Sequence, residues 1–95
     1  MAEVVWLREV QADVERLFLF LRKKNSKAAN KILLLFRKGS EQLACSPELG
    51  ISMDDETGRR ELFLPFGAGA YILRYQLDVD KVGIIRVWHS RENRD

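Results

Sequence analysis

The sequence carries one cysteine, Cys45, and one histidine, His89, among its ninety-five residues. A lone thiol cannot form an internal disulfide, and one thiol with one imidazole cannot build a zinc site of the usual four-ligand kind. A single free cysteine also fits a reducing compartment. Long apolar stretches are missing: Leu17 to Leu21 and Ile32 to Phe36 are the longest, at five residues each, against the ~20 needed to span a bilayer. Met1 to Glu9 lacks a basic start followed by an extended apolar core, so no signal peptide is expected. Strong charge of one sign is absent too. Sixteen basic and fourteen acidic residues leave a net charge of +2, which does not mark a nucleic-acid binder. No glycine-rich phosphate loop is present, because Gly67-Ala68-Gly69 lies between two strand-like runs and opens no helix. The expectation is a cytoplasmic protein with no membrane span, no metal and no cofactor.

What is present fits one domain over residues 1–95. A chain of this length buries roughly two thirds of its unfolded surface, and its 46% apolar share is ordinary for a globular core. Glu3 to Leu7 reads as a short strand. From Gln11 the period changes, and Val14, Leu17, Phe18 and Leu21 share one helical face. Asp13 and Glu15 sit early in that helix and Arg22, Lys23 and Lys24 late, the order a helix dipole favours. Asn25-Ser26 breaks the pattern, with Ser26 as candidate N-cap of a second helix. That helix runs from Lys27 to the Leu43 region, with Ala28, Ala29, Ile32, Leu33 and Phe36 as its apolar stripe and Gly39 as a weak point. Ser46-Pro47 ends it, and Pro47 to Gly58, with its acidic turn Asp54-Asp55-Glu56, reads as solvated loop.

Three strands are expected next, Arg60 to Phe66, Ala70 to Leu77 and a run beginning at Val82 and reaching Arg91. The sum is an α+β domain, β-α-α-β-β-β, with a helical hairpin packed on one face of a mainly antiparallel sheet. Alternation puts Arg74 opposite the Tyr71, Leu73 and Tyr75 face, and separates Arg86 and Trp88 from Ile85, Val87 and His89. If the apolar faces lie under the helices, Arg74 and Arg86 emerge together on the open face. Arg59, Arg60, Arg91 and Arg94 are candidates to join them. Such arginines suit phosphate or an acidic protein surface, and His89 suits acid or base chemistry near neutral pH. The competing reading has the arginines solvated or paired with Glu61, Asp78 and Asp80, and His89 as a hydrogen-bonded strand end. The helices also hold more apolar residues than one stripe needs. Leu19 and Phe20 fall outside it and Leu34 and Leu35 partly so; either the two helices bury this surplus against each other or, the reading preferred here, it forms a groove that takes a partner.

Four segments in this order resemble the RelE/ParE superfamily of type II toxin-antitoxin toxins: Pro47-Glu48-Leu49-Gly50, then Gly58 to Leu62, Tyr71 to Tyr75, and Val82 to Arg91. The resemblance runs over nearly the whole chain. It implies a growth inhibitor neutralised by a cognate antitoxin in a hetero-oligomer, with the antitoxin laying apolar side chains on the hairpin, here at Leu19, Phe20, Leu34 and Leu35. RelE-like members cut messenger RNA on the ribosome without a metal, which would assign the chemistry to His89, Arg86, Arg74 and Arg91. ParE-like members are not nucleases and poison DNA gyrase, which would make Arg60, Arg74, Arg86 and Arg91 target-binding candidates. The long hairpin and the Val87 to Arg91 ending look more like the ParE branch. No tyrosine follows His89 and no lysine lies near the arginine set, both departures from the RelE pattern.

Overall fold

The switch from a two-residue to a helical period falls at Leu7, where the first strand stops. A computed structural model describes residues 1–92. Strand β1 (Glu3–Trp6) leads into helix α1 (Arg8–Lys24) and helix α2 (Ser26–Cys45). Strands β2 (Ile51–Ser52), β3 (Arg59–Phe66), β4 (Gly69–Leu77) and β5 (Lys81–His89) follow. The five strands form one sheet in the order β1-β5-β4-β3-β2, antiparallel except for the β1–β5 pair.

The expected hairpin and meander are both there, with local differences. Helix α1 starts at Arg8, earlier than Gln11, because the Leu7 N–H is taken by the Ile84 carbonyl and the chain turns at once. Asn25 caps α2, not Ser26. Its Oδ1 accepts from the N–H groups of Lys27 (3.0 Å) and Ala28 (3.1 Å), while its own N–H closes α1 on the Leu21 carbonyl. One extended residue thus ends one helix and begins the next. Strand β2 was expected as loop; two residues carry no detectable period. The segment before it is fixed from the sheet, where Tyr75 Oη donates to the Pro47 carbonyl (2.7 Å) and accepts from the Gly50 N–H (2.9 Å).

Both helices cover one face of the sheet. Val10 and Leu17 of α1 and Ile32, Phe36 and Leu43 of α2 bury against Leu62, Leu64, Tyr71, Leu73, Tyr75, Val82, Ile84 and Val87. Each such side chain contributes about 1.5–3 kcal/mol relative to exposure. Gly39 remains helical, and its lack of a side chain has a cause: a Cβ there would stand 3.0 Å from Leu64 Cδ1 and 3.2 Å from Leu73 Cδ1. Gly39 therefore lets α2 pack directly over the Leu64 and Leu73 side chains.

Strand β5 contains a bulge. Tyr75 pairs with Ile84 and Arg74 with Arg86, which leaves Ile85 as an extra residue. Simple alternation grouped Ile85 with Val87 and His89. The bulge instead turns Ile85 to the open face and returns Val87 to the core.

Candidate functional site

Register sets out the open face in rows. Phe63, Ile72 and Trp88 form an apolar row across β3, β4 and β5, and Glu61, Arg74 and Arg86 form a charged row beside it. Arg74 and Arg86 are therefore neighbours on this face, as alternation implied. Neither is a free cation. Arg74 donates from Nε (3.0 Å) and Nη2 (2.7 Å) to Glu61 Oε2, and its guanidinium lies 4.9 Å from the centre of the Trp88 ring. Glu61 was one of the partners the competing reading named.

Arg86 has a partner that sequence reasoning missed. Its Nε and Nη2 donate to Asp13 at 2.7 and 3.1 Å, and Asp13 Oδ2 also accepts the Val87 N–H at 3.0 Å. The backbone explains the need. Pairing of β1 with β5 stops at Trp6 and Ile84, so the next N–H on that edge, Val87, would lack an acceptor. Asp13 of α1 supplies it while only 5% exposed. Burial alone would raise the Asp13 carboxyl, but the bonds from Arg86 and the Val87 N–H outweigh it and hold the pKa below its usual range. The same hydrogen bond raises Arg86. A signal existed in the sequence, since Asp13 falls between Val10 and Leu17 on the buried face of α1. A carboxylate there requires a partner.

The other predicted arginines go elsewhere. Arg60 donates from Nη1 to the Gly50 carbonyl (2.8 Å) and the Glu48 carbonyl (3.3 Å), so it ties the β2 approach to the sheet and does not join Arg74 and Arg86. Arg59 does join them. With Leu7, Arg8, Glu9, Ile85, Arg74 and Arg86 it lines an open-face cleft of about 420 Å³. Arg94 lies outside the described residues.

His89 stands on the opposite side. It pairs in register with Tyr71, the two rings edge-on at 5.0 Å, and its Nδ1 accepts the Arg91 N–H at 3.1 Å. An accepting Nδ1 makes Nε2 the ring donor of the neutral imidazole. Gly69 makes room for this ring, since a Cβ there would meet His89 Cε1 at 2.9 Å. His89, Arg91, Phe20, Tyr71 and Phe66 share a second cavity, of about 580 Å³, at the helix-covered side. The set Arg74, Arg86, His89 and Arg91 is thus split between two faces.

Of the surplus apolar residues, Phe20 (57% exposed), Leu34 (58%) and Leu19 (38%) stand in solvent. Leu35 does not, and packs partly buried against the core. Leu33, expected in the buried stripe, takes its place at the surface at 41% exposed. At about 100° per residue, Leu33 and Leu35 flank the Ile32 and Phe36 stripe equally, so periodicity cannot choose between them. Packing chooses: Leu33 borders a groove with Trp6, Val14 and Phe36. The acidic turn is closed on itself, Asp55 accepting from the Thr57 N–H at 3.0 Å, as a solvated loop would be.

A family model described as "ParE toxin of type II toxin-antitoxin system, parDE" matches residues 4–94. The chain belongs to the ParE toxin family. This ParE-family chain is also 34% identical over 82 residues to Toxin RelE1 of Caulobacter vibrioides, covering 86% of each chain. It is 35% identical over 82 residues to Toxin RelE3 of the same organism, covering 86% of this chain and 87% of that one. Among solved structures, one described as the chromosomal ParDE TA system from P. aeruginosa superposes with a TM-score of 0.74 at 18% identity. The superposition covers 92% of this chain and 94% of the other, and it shows the shared fold. As a type II toxin, the ParE-family chain has a cognate antitoxin for a partner.

Proposed function

We propose that this toxin arrests growth by binding DNA gyrase, without catalysis of its own, in the bacterial cytoplasm and under the control of its antitoxin. The observation that carries the reading is the separation of the only histidine from the sheet-face arginines. Cleaving RNA without a metal needs an acid or base within reach of the cations that hold the phosphate. Arg74 is committed to Glu61 on the open face and Arg86 to Asp13 of helix α1, while His89 is packed on Tyr71 at the helix-covered side. Guanidiniums held rigid by carboxylates, beside the exposed Phe63 and the Trp88 ring, suit contact with a folded protein surface.

The antitoxin is assigned to the helical side, at Leu19, Phe20, Leu33 and Leu34. Exposed apolar side chains on both helices of one hairpin suit an amphipathic partner segment. Purified toxin, assayed for inhibition of gyrase supercoiling and for trapped cleavage complexes, is expected to act in both assays and to be relieved by antitoxin. Gyrase activity left untouched at saturating toxin would remove the reading.

A second reading, a ribosome-dependent endoribonuclease, is favoured by the names of the two Caulobacter relatives. It would put Arg74 and Arg86 on the scissile phosphate, with His89 and Arg91 brought to it in the ribosomal complex. Message cleavage in a translating extract, abolished by His89→Ala and Arg86→Ala, would establish it.

A further inference from the structure

The cavity beside the C-terminal half of helix α1 holds a polar group that nothing in the free chain uses. Tyr71 is 3% exposed and lines this space of about 580 Å³, yet its hydroxyl makes no hydrogen bond among the described residues. The oxygen is not sealed off, since Arg59 Nε alone is a sealed orphan among the described side chains, and it opens to the cavity. The ring is fixed on three sides, edge-on to Phe36 and His89 and tilted against Phe66. A phenylalanine would fill the same slot, so packing does not account for the hydroxyl. Burial, and after it the charge of Glu92, raises that hydroxyl above its ordinary range, so it is a donor at neutral pH. A donor in such a setting calls for an acceptor. The rim supplies the sign of charge: Arg16, Lys24 and Arg91 stand against the single carboxylate of Glu92. Glu92 is bonded to Arg16. Lys24 lies 4.6 Å from the centre of the Phe20 ring, and neither it nor Arg91 has an ion-pair partner among the described residues. The rest of the wall, Leu17, Phe20, Leu21 and Phe66, is apolar.

We propose that this cavity takes an apolar side chain and an adjoining carboxylate from the antitoxin segment, the carboxylate meeting Tyr71 and Arg91. The inference rests on the assignment of the antitoxin to the hairpin, and adds where the segment continues and what chemistry it carries. Phe20 belongs both to the exposed hairpin surface and to the cavity wall, so a chain that covers Phe20 stands at the mouth of the site. About 580 Å³ exceeds what a carboxylate alone fills and leaves room for an apolar body against Leu17, Leu21 and Phe66. The rim selects the sign. A basic residue would meet Lys24 and Arg91 with like charge, and an apolar one would seal the Tyr71 donor without an acceptor. A carboxylate answers both, through a charge-assisted bond from the hydroxyl and an ion pair at the rim. The ring of His89, edge-on to Tyr71, serves as a wall that holds the hydroxyl in place.

The test titrates the purified full-length chain with 4-phenylbutyrate, which carries both groups, and with its uncharged amide, 4-phenylbutyramide, following the ring NMR signals of Tyr71 and His89. The acid is expected to bind about tenfold more tightly than the amide, the size of one charge-assisted hydrogen bond, and to compete with antitoxin. Tyr71→Phe should abolish that advantage and weaken antitoxin, yet leave the thermal midpoint unchanged or higher, because the hydroxyl it removes has no partner in the free chain. Arg91→Ala, at an exposed residue, should weaken both acid and antitoxin about fivefold and decides the matter if Tyr71→Phe does not fold. Lys31→Ala, exposed on α2, should leave acid binding unchanged. Leu34→Ser separates the proposal from the reading beneath it, since it should weaken antitoxin and leave the acid alone. Antitoxin indifferent to Leu34→Ser removes the hairpin assignment on which the proposal rests. Antitoxin weakened by Leu34→Ser but indifferent to Tyr71→Phe and Arg91→Ala overturns the cavity proposal alone. Equal binding of acid and amide overturns it too. Acid binding that leaves antitoxin affinity unchanged gives the cavity to a small molecule, and a chain ending at Glu92 that binds the acid more than tenfold more tightly gives it to the chain's own end; either result overturns the antitoxin assignment.

Discussion

The open face and the helical face of this sheet hold their functional residues in opposite ways. On the open face the two central arginines are paired: Glu61 takes Arg74 and Asp13 of helix α1 takes Arg86. On the helical hairpin Phe20 and Leu34 stand more than half exposed, Phe20 with the Lys24 ammonium 4.6 Å from its ring centre. Arg74 and Arg86 are thus held by carboxylates in the free chain, whereas Phe20 and Leu34 are left open to water, where we propose that the antitoxin docks. Charges on a sheet need local partners to stay oriented, whereas apolar side chains gain most when another chain removes them from water.

That contrast can be broken most sharply at Asp13. Asp13→Ala strands the Val87 N–H and unpairs Arg86, and should cost about 3 kcal/mol in denaturant unfolding. Its carboxyl is depressed in the fold, so its contribution is fully present above the ordinary aspartate range and is lost as pH falls through the lower folded value. The acid limb of the stability profile should therefore flatten in Asp13→Ala. On the hairpin the expectation reverses. Phe20→Ser with Leu34→Ser should leave unfolding within about 0.5 kcal/mol of wild type while weakening antitoxin by about thirtyfold, as two exposed anchors would. If the pair unfolds the free toxin, those residues are core and the contrast fails. Asn25→Ala, which removes the hairpin cap, should cost about 1 kcal/mol by thermal unfolding. Smallest is Glu61→Ala: its pair with Arg74 is partly exposed, and a loss under about 1 kcal/mol is expected.

How far the sequence made this legible follows from what each feature depends on. Two helices and three strands are readable because each carries several turns or alternations of period, and β1 is readable from the β-branched and aromatic run Val4-Val5-Trp6. The β1–β5 parallel pairing and the β2 strand were not, since one is a matter of tertiary order and the other is two residues long. The arginine pair was readable from alternation on β4, and Arg86 came out right because the bulge at Ile85 falls before it. Arg60 does not join the set because its place in β3, opposite Tyr75 and in phase with Leu62 and Leu64, puts it on the covered face, from which it bonds back to the loop before β2. Leu33 and Leu35 were exchanged because the helix presents them symmetrically. Asp13 was read as a helix-dipole residue when its burial phase pointed to a fixed partner.

The central claim is that the sheet-face arginines meet a protein target and that His89 performs no chemistry. The most direct test compares wild-type toxin and His89→Ala in gyrase supercoiling and in a translating extract side by side. The account predicts that both proteins inhibit gyrase to the same extent and that neither cuts message. Message cleavage by the wild type that vanishes in His89→Ala would contradict it.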